Sequence, residues 1–460
     1  MRHLAVGFLL ATTRLAVAQP TPTEEAKPWR IDRAIDAPAW LRLGLEHQSR
    51  FEHLSHDFRG KATDDATAFS MRTLVTAEAS LESVLAGIEL EDSRIYASDA
   101  TALNTTLSDP LEILQAYVGV RRKNLVLDND AFEARVGRLT IDLSTRRVVA
   151  RNRFRNTING FTGVDAKWTS PSKHVARAFV AVPVTRLPAD AEALKDNSID
   201  LDEESTDALL WCGYYGSPKL ALGSQAELYV VGFHERDGDL ASRNRQLLTI
   251  GARWYRKPAR GTVDFDVELI PQLGRSRATA GMDDTTNLDH RALSTHVELA
   301  ISPAMPWQPR LAMLHDYASG DRDPADGSTE RFDPLFGARR FDFGPTGIYG
   351  PFNRSNVQSP GVRASIAPSP TFDASVGYRL FWLAARSDAW VAASVRDPMG
   401  DSGSFVGEHV EVQLRWSPLP KNLAIEGGAA YLRRGRFARS APETREANPA
   451  YVYTQLTVTL

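Results

Sequence analysis

Hydrophobic and polar residues alternate along most of this chain with a period of two. In GTVDFDVELI, Val263, Phe265, Val267 and Leu269 fall on one face while Asp264, Asp266 and Glu268 fall on the other. In HVEVQLRW, Val410, Val412, Leu414 and Trp416 oppose Glu411, Gln413 and Arg415. WLRLGLEHQSRFE starts the series, with Leu41, Leu43 and Leu45 opposite Arg42, Gly44 and Glu46. YVYTQLTVTL ends it, with Val452, Leu456, Val458 and Leu460 opposite Tyr451, Tyr453, Gln455, Thr457 and Thr459. Successive side chains of a strand point to opposite faces, so each segment predicts a strand with one oily and one polar face.

Eighteen such segments begin near residues 40, 68, 84, 111, 132, 161, 173, 207, 225, 245, 261, 291, 308, 359, 371, 408, 421 and 450. Most run about 10 to 15 residues, against roughly 5–6 for a soluble strand and about 9–11 for a tilted membrane strand. Parity is poorly resolved near 84, 225 and 308. Joins after even-numbered strands are mostly short and rich in turn residues, as in SPSK (170–173), KPARG (257–261), APSPT (367–371) and SPLPK (417–421). Joins after odd-numbered strands are mostly long and polar, 317–358 being the longest, while 122–131 and 216–225 are middling exceptions. Short turns at one end and long loops at the other predict an all-β, outer-membrane type antiparallel barrel of about 18 strands. The physical reason is that a bilayer offers no water to backbone N–H and C=O groups, so closure must pair every strand. A right-handed β-solenoid is the soluble alternative, but no matching repeat of 20–30 residues is found. Two stacked sandwiches are the other, and they would not sort their loops this way.

The N-terminus fits export. MRHLAVGFLLATTRLAVAQP has a charged start, an apolar core and an Ala16-Val17-Ala18 end, so residues 1–18 read as a signal peptide. Residues 19–39 read as a periplasmic leader and 40–460 as the barrel. The lone cysteine, Cys212, excludes an internal disulfide.

If the apolar faces meet lipid, the opposite faces line water. Parity then turns inward Arg42, Glu46, Arg50, Glu52, Arg72, Glu78, Arg135, Arg253, Asp264, Asp266, Glu268, Glu298, Arg379, Glu411, Arg415 and Glu426. Charges of both signs share this lumen. They either satisfy one another or set the selectivity of a pore, since arginine rings favour anions.

RRVVARNRFR adds five arginines in ten residues (Arg146, Arg147, Arg151, Arg153, Arg155) to a chain of formal net charge −3. An arginine at mid-bilayer costs about 2–4 kcal/mol, so the cluster must face the pore, an inward-folded loop or lipopolysaccharide headgroups. Guanidinium forks suit carboxylates, which points to an anionic, carboxylate-bearing solute. Nucleic acid is excluded by export and by the lack of a binding motif.

The segment VGRLTIDLSTRRVVARNRFRNTINGFTGVDAKW resembles one in the bacterial alginate export family. Gly137 and Arg138 match its Gly-Arg-Gln opening, and Asn156, Thr157, Phe161, Gly163 and Val164 match its end. Leu139 replaces the glutamine and Thr162 an aspartate. EDSRIY, LQAYVGV and YASGDRDPADG followed by FDPLFG resemble further family elements. The resemblance implies an 18-stranded outer-membrane barrel and an arginine-lined conduit for polyuronate. It carries a pore role onto Arg94, Arg138, Arg151, Arg153 and Arg155. The solute expected is alginate-like polysaccharide or its fragments, with a general or organic-acid porin as the alternative. A periplasmic secretion partner is a further expectation.

No phosphate loop or paired-His metal motif occurs, so no cofactor, metal or catalytic residue is expected. The competing enzyme reading needs a Ser-His-acid set at one rim. His47, His53 and His56 beside Ser49, Ser55 and Asp57 are its only candidates. A scaffold whose 317–358 loop plugs the pore, and weak Ca²⁺ binding by acidic loops, are the remaining readings.

Overall fold

A computed structural model describes residues 28–60, 65–97, 103–238 and 242–460. The expected signal peptide and the first part of the leader, 19–27, lie outside the described residues. Eighteen strands form one antiparallel ring. They are β1 (Leu41–Ser55), β2 (Asp65–Leu81), β3 (Val84–Ala97), β4 (Asp109–Lys123), β5 (Ala131–Leu139) and β6 (Phe161–Thr169). Next come β7 (Val175–Thr185), β8 (Ala208–Ser217), β9 (Gln225–Glu235), β10 (Gln246–Arg256), β11 (Thr262–Ser276) and β12 (Leu288–Ser302). The last six are β13 (Arg310–Ala318), β14 (Val357–Ser369), β15 (Phe372–Trp382), β16 (Phe405–Leu419), β17 (Leu423–Arg434) and β18 (Ala450–Thr459). Each strand pairs with its sequence neighbours, and β18 closes the ring on β1 from Glu46↔Thr459 to Ser55↔Ala450. The barrel has no edge, as a membrane requires. Every strand starts within three residues of its predicted start.

Loop sorting is complete. The connections after even-numbered strands are seven residues or fewer, including 124–130 and 218–224, and those after odd-numbered strands are nine or more. The middling joins become regular because β4 and β8 run further into their turns than alternation suggested. Outward positions are apolar and exposed: Val263, Val267 and Leu269 on β11, Val410, Val412 and Leu414 on β16. Trp40, Tyr215, Trp254, Trp307 and Trp416 are exposed toward the short-turn end, and Phe51, Phe69, Tyr96 and Tyr431 toward the other. Those are the two interfacial girdles of an outer-membrane barrel.

The described end of the leader, with a short helix at Ile31–Ala34, is tied to the β16–β17 turn. Asn422 Oδ1 accepts from the Trp29 N–H at 2.8 Å and Asn422 Nδ2 donates to the Trp29 carbonyl at 2.8 Å.

Two long loops fold into the ring. Segments 140–160 and 319–356 contain fully or nearly fully buried residues, among them Val149, Ala150, Ile158, Phe343, Ile348 and Tyr349. They join through a parallel bridge, Val149↔Phe336, with Ala150 N–H donating to Phe336 O at 3.2 Å and Phe336 N–H to Val148 O at 3.0 Å. A Cβ on Gly337 would collide with the Arg147 carbonyl where the loops cross. Only glycine allows that approach.

Candidate functional site: the charged lumen and its inward loops

The inward wall is a set of paired charges, some set by strand register and some by a loop arginine reaching a strand carboxylate. Arg253 on β10 sits one strand from Asp266 and binds it through Nε and Nη2, both at 2.8 Å, and reaches Glu227 at 3.3 Å. Arg310 on β13 binds Asp264 and Glu298, each at 2.5 Å. Glu268 accepts from Arg147 at 2.5 Å, Thr145 at 2.8 Å and Tyr229 at 2.7 Å. Glu78 accepts from the Tyr117 hydroxyl at 2.7 Å, and Arg135 stacks on the Tyr117 ring at 4.6 Å. Glu411 pairs with Arg340 at 2.5 Å, and Glu426 accepts from Tyr453 at 2.7 Å. All of these wall groups lie on the face opposite the exposed apolar residues. Partnering cancels these charges where they stand.

Other predicted pore arginines serve the loops instead. Arg50 is completely buried, ion-paired to Glu52 at 3.1 Å, with its Nη1 donating to Phe154 O at 2.5 Å. Arg72, 2% exposed, binds Glu46 at 3.1 Å and donates to the carbonyls of Arg153 (3.1 Å) and Arg155 (3.0 Å). Both clamp the 140–160 loop rather than line open water. Arg379 is buried against Asp316 at 2.7 Å and the Asp342 carbonyl at 2.6 Å. Arg151 makes a fork with Glu89 at 2.8 and 2.7 Å.

Two predicted pore residues are on the wrong face. Arg94 is in register with Met71, beside the outward Thr73↔Asp92 pair, and its guanidinium binds Asp92 at 2.9 Å. Glu91 and Ser93 beside it are the inward residues and are buried. Arg138 is in register with Ala116 and Thr162 on the outward set, and its guanidinium binds Glu204 and the inward Glu112. Polar residues on both faces of EDSRIY hid the first error. The second was avoidable, because Arg135 and Arg138 are three apart and cannot share a strand face.

The enzyme candidates do not assemble. His47 is on the outward face, bonded to Thr73 and Ser49 at 2.9 Å each, and His53 is bonded to Thr67 at 3.0 Å. Among the described residues, no carboxylate pairs with either ring. Asp57 is paired with Arg59 at 2.8 Å.

What alternation could not show is that several guanidiniums lack a carboxylate partner among the described residues, including Arg153, Arg155 and Arg339 on the inward loops, Arg186 on the 186–207 loop and Arg415 on β16. Arg155 and Arg186 converge on Asn159 Oδ1, at 3.0 and 2.8 Å, and the Nε of each is buried without a partner. Burial, with Arg186 and Arg339 close by, depresses the Arg155 guanidinium well below its usual range. Burial and the neighbouring Arg59 bring Arg339 down to about 10. Among the described residues, none of Arg153, Arg155, Arg186, Arg339 and Arg415 has a carboxylate within 4.0 Å, although wall carboxylates do face others nearby. Arg186 and Arg339 belong to aperiodic loops, so no spacing flagged them.

The loops are latched by Asp342, which binds Arg147 at 3.0 Å and also pairs with Arg354. Burial alone would raise this carboxyl, but Arg147 and Arg354 outweigh it and hold it at about 2. Two recesses open beside the loops. One of 460 Å³ is bounded by Arg146, Arg340, Arg363, Asp342 and Glu411, and one of 320 Å³ by Arg153, Phe154, Lys421 and Glu426. Arg415 borders both.

The barrel is similar to solved Pseudomonas aeruginosa structures. OpdQ matches at a TM-score of 0.56 and 13% identity, over 91% of this chain and 97% of its own. OccD3 (OpdP) matches at 0.55 and 11%, over 92% and 91%. OpdK, in a structure with vanillate, matches at 0.56 and 13%, over 91% and 98%. At these identities the likeness concerns the fold. No curated protein matches the sequence. The sequence profile for alginate export does match, over residues 39–451, and the chain, an outer-membrane channel, belongs to the alginate export family.

Proposed function

We propose that this channel passes anionic, carboxylate-bearing solutes, with uronate polysaccharide or its fragments as the solute class. One observation carries the reading: most wall charges are neutralised in place, whereas Arg155 and Arg339 on the inward loops and Arg186 on the 186–207 loop gather without a carboxylate ion pair. Guanidinium donors left over in a site of restricted water offer a carboxylate a forked, charge-assisted contact. Several such groups in sequence let an anion exchange one contact for the next, and passage then follows the gradient. Family membership supports the polyuronate part of the proposal.

A small carboxylate is the second reading, favoured by the likeness to a barrel solved with vanillate. Planar-bilayer recording separates the two. In a KCl gradient the reversal potential should show anion preference, and Arg155→Gln, Arg186→Gln and Arg339→Gln together should reduce the permeability ratio at least threefold. Oligouronates should block the wild-type current at lower concentration than vanillate does. A cation-selective pore, or a triple variant with wild-type selectivity, would refute the anion reading.

A further inference from the structure

A carboxylate cluster lies where the extracellular ends of β3 and β4 meet the 186–207 loop. Asp109 opens β4, Glu112 follows it on the same strand, and Asp202 comes from the loop. One oxygen from each lies within 4.8 Å of the other two. Asp109 is 2% exposed, and its Oδ1 is buried without a hydrogen-bond partner. Glu91, opposite Glu112 in the β3–β4 ladder, likewise buries Oε2 without one.

The positive charges nearby do not balance this. Arg138 binds Glu112 but also Glu204. Arg186 faces the cluster, yet no ion pair within 4.0 Å joins it to Asp109, Glu91 or Asp202, and its Nη1 is spent on Asn159. Burying carboxylate oxygens unpaired is costly. The loop is nonetheless held in register: Asp202 N–H donates to Glu112 Oε2 at 2.8 Å, and Asp202 Oδ1 accepts from Leu187 N–H at 2.9 Å. Asn197 adds a strap, accepting from Ile95 N–H at 2.7 Å and from the Ser108 hydroxyl at 3.0 Å.

We propose that Asp109, Glu112 and Asp202 bind one Ca²⁺ ion, which fastens the 186–207 loop to the barrel wall. The donors are all hard oxygens, as Ca²⁺ requires, and oxygens on a sphere of radius about 2.3–2.6 Å are separated by up to roughly 5 Å. Mg²⁺ dehydrates reluctantly and usually keeps several waters with one or two carboxylates, so three protein carboxylates suit it less well. Bound Ca²⁺ would also neutralise the acids that face Arg186, leaving that guanidinium free for a solute. This last consequence rests on the anion reading above, whereas the site itself does not.

The test uses full-length protein refolded in detergent from inclusion bodies, so that no lipopolysaccharide carries Ca²⁺ along. After stripping with EDTA, calorimetric titration with CaCl₂ should show one site per chain, and Mg²⁺ should bind at least tenfold more weakly. Asp109→Asn and Asp202→Asn should each weaken Ca²⁺ at least tenfold, while Asp284→Asn on a different loop should not. Ca²⁺ should raise the thermal midpoint of the wild type and not of Asp202→Asn. If Asp109→Asn fails to fold, the loop variant alone decides. Absence of Ca²⁺ binding by the wild type, or unchanged binding in Asp202→Asn, would overturn the site. Neither outcome bears on selectivity, which is read from reversal potentials without added Ca²⁺.

Discussion

The β10–β13 wall and the two inward loops both carry many arginines, but with different consequences. On the wall, Arg253 and Arg310 meet Asp266, Asp264 and Glu298 across neighbouring strands. Ladder geometry fixes those distances, so charges cancel where they stand and stiffen the ring. On the loops, chain path rather than ladder decides the neighbours. Arg147 finds Glu268 and Asp342, but Arg155 and Arg339 find Asn159, backbone and each other, and Arg186, on the neighbouring 186–207 loop, bonds Asn159 while facing acids it does not pair with. The lesson is that arginine content does not measure the field in a pore. Only the unpaired remainder does.

The comparison breaks most visibly at the latch. Arg147→Ala leaves Glu268 and Asp342 short of their buried partner, a defect worth roughly 3–5 kcal/mol. The inward loops should loosen and single-channel conductance should rise at least twofold. An unchanged conductance would mean that the loops are held by packing alone.

Acid should reach the same latch. The Asp342 carboxyl is depressed to about 2, below its unfolded value of about 4. Its stabilising contribution is therefore complete above about pH 4 and disappears as pH falls through 2. Conductance recorded from pH 6 downward should stay level to about pH 4 and then climb, and Asp342→Asn should already conduct at the raised level at pH 6.

A smaller effect sharpens the contrast between wall and loops. Removing a neutralised pair, Arg253→Gln with Asp266→Asn, should leave the anion-to-cation permeability ratio within about twofold of wild type. A larger change would show that wall pairs also shape the field.

The smallest effect belongs to the outward face. Asp92→Leu with Arg94→Leu removes a half-exposed pair and should alter neither conductance nor selectivity by more than about a fifth. A selectivity change there would return Arg94 to the pore.

Much of the barrel was legible because a strand writes its geometry into the sequence at every second residue. Asp264, Asp266 and Glu268 alternate with Val263, Phe265 and Val267 over a whole strand, so their face is unambiguous. EDSRIY is polar at consecutive positions, which gives no face, and Arg94 was misplaced there. Arg138 was misplaced because its role came from a family motif, although the spacing from Arg135 argued against it. Arg50 and Arg72 sit on the polar strand face, yet no pattern could reveal that a loop more than 80 residues later would cover Arg72.

Alternation and loop length by themselves determined the strand number, the sorting of short turns and long loops to opposite ends and which strand faces are apolar, because those depend on neighbours one or two residues away and on the bilayer's lack of water. Which arginines are neutralised, which loops enter the lumen and where Asn159 gathers two guanidiniums were decided only by the tertiary structure. Ion pairing depends on a few ångströms between groups far apart in sequence, and an aperiodic loop carries no regular pattern from which such a distance can be read.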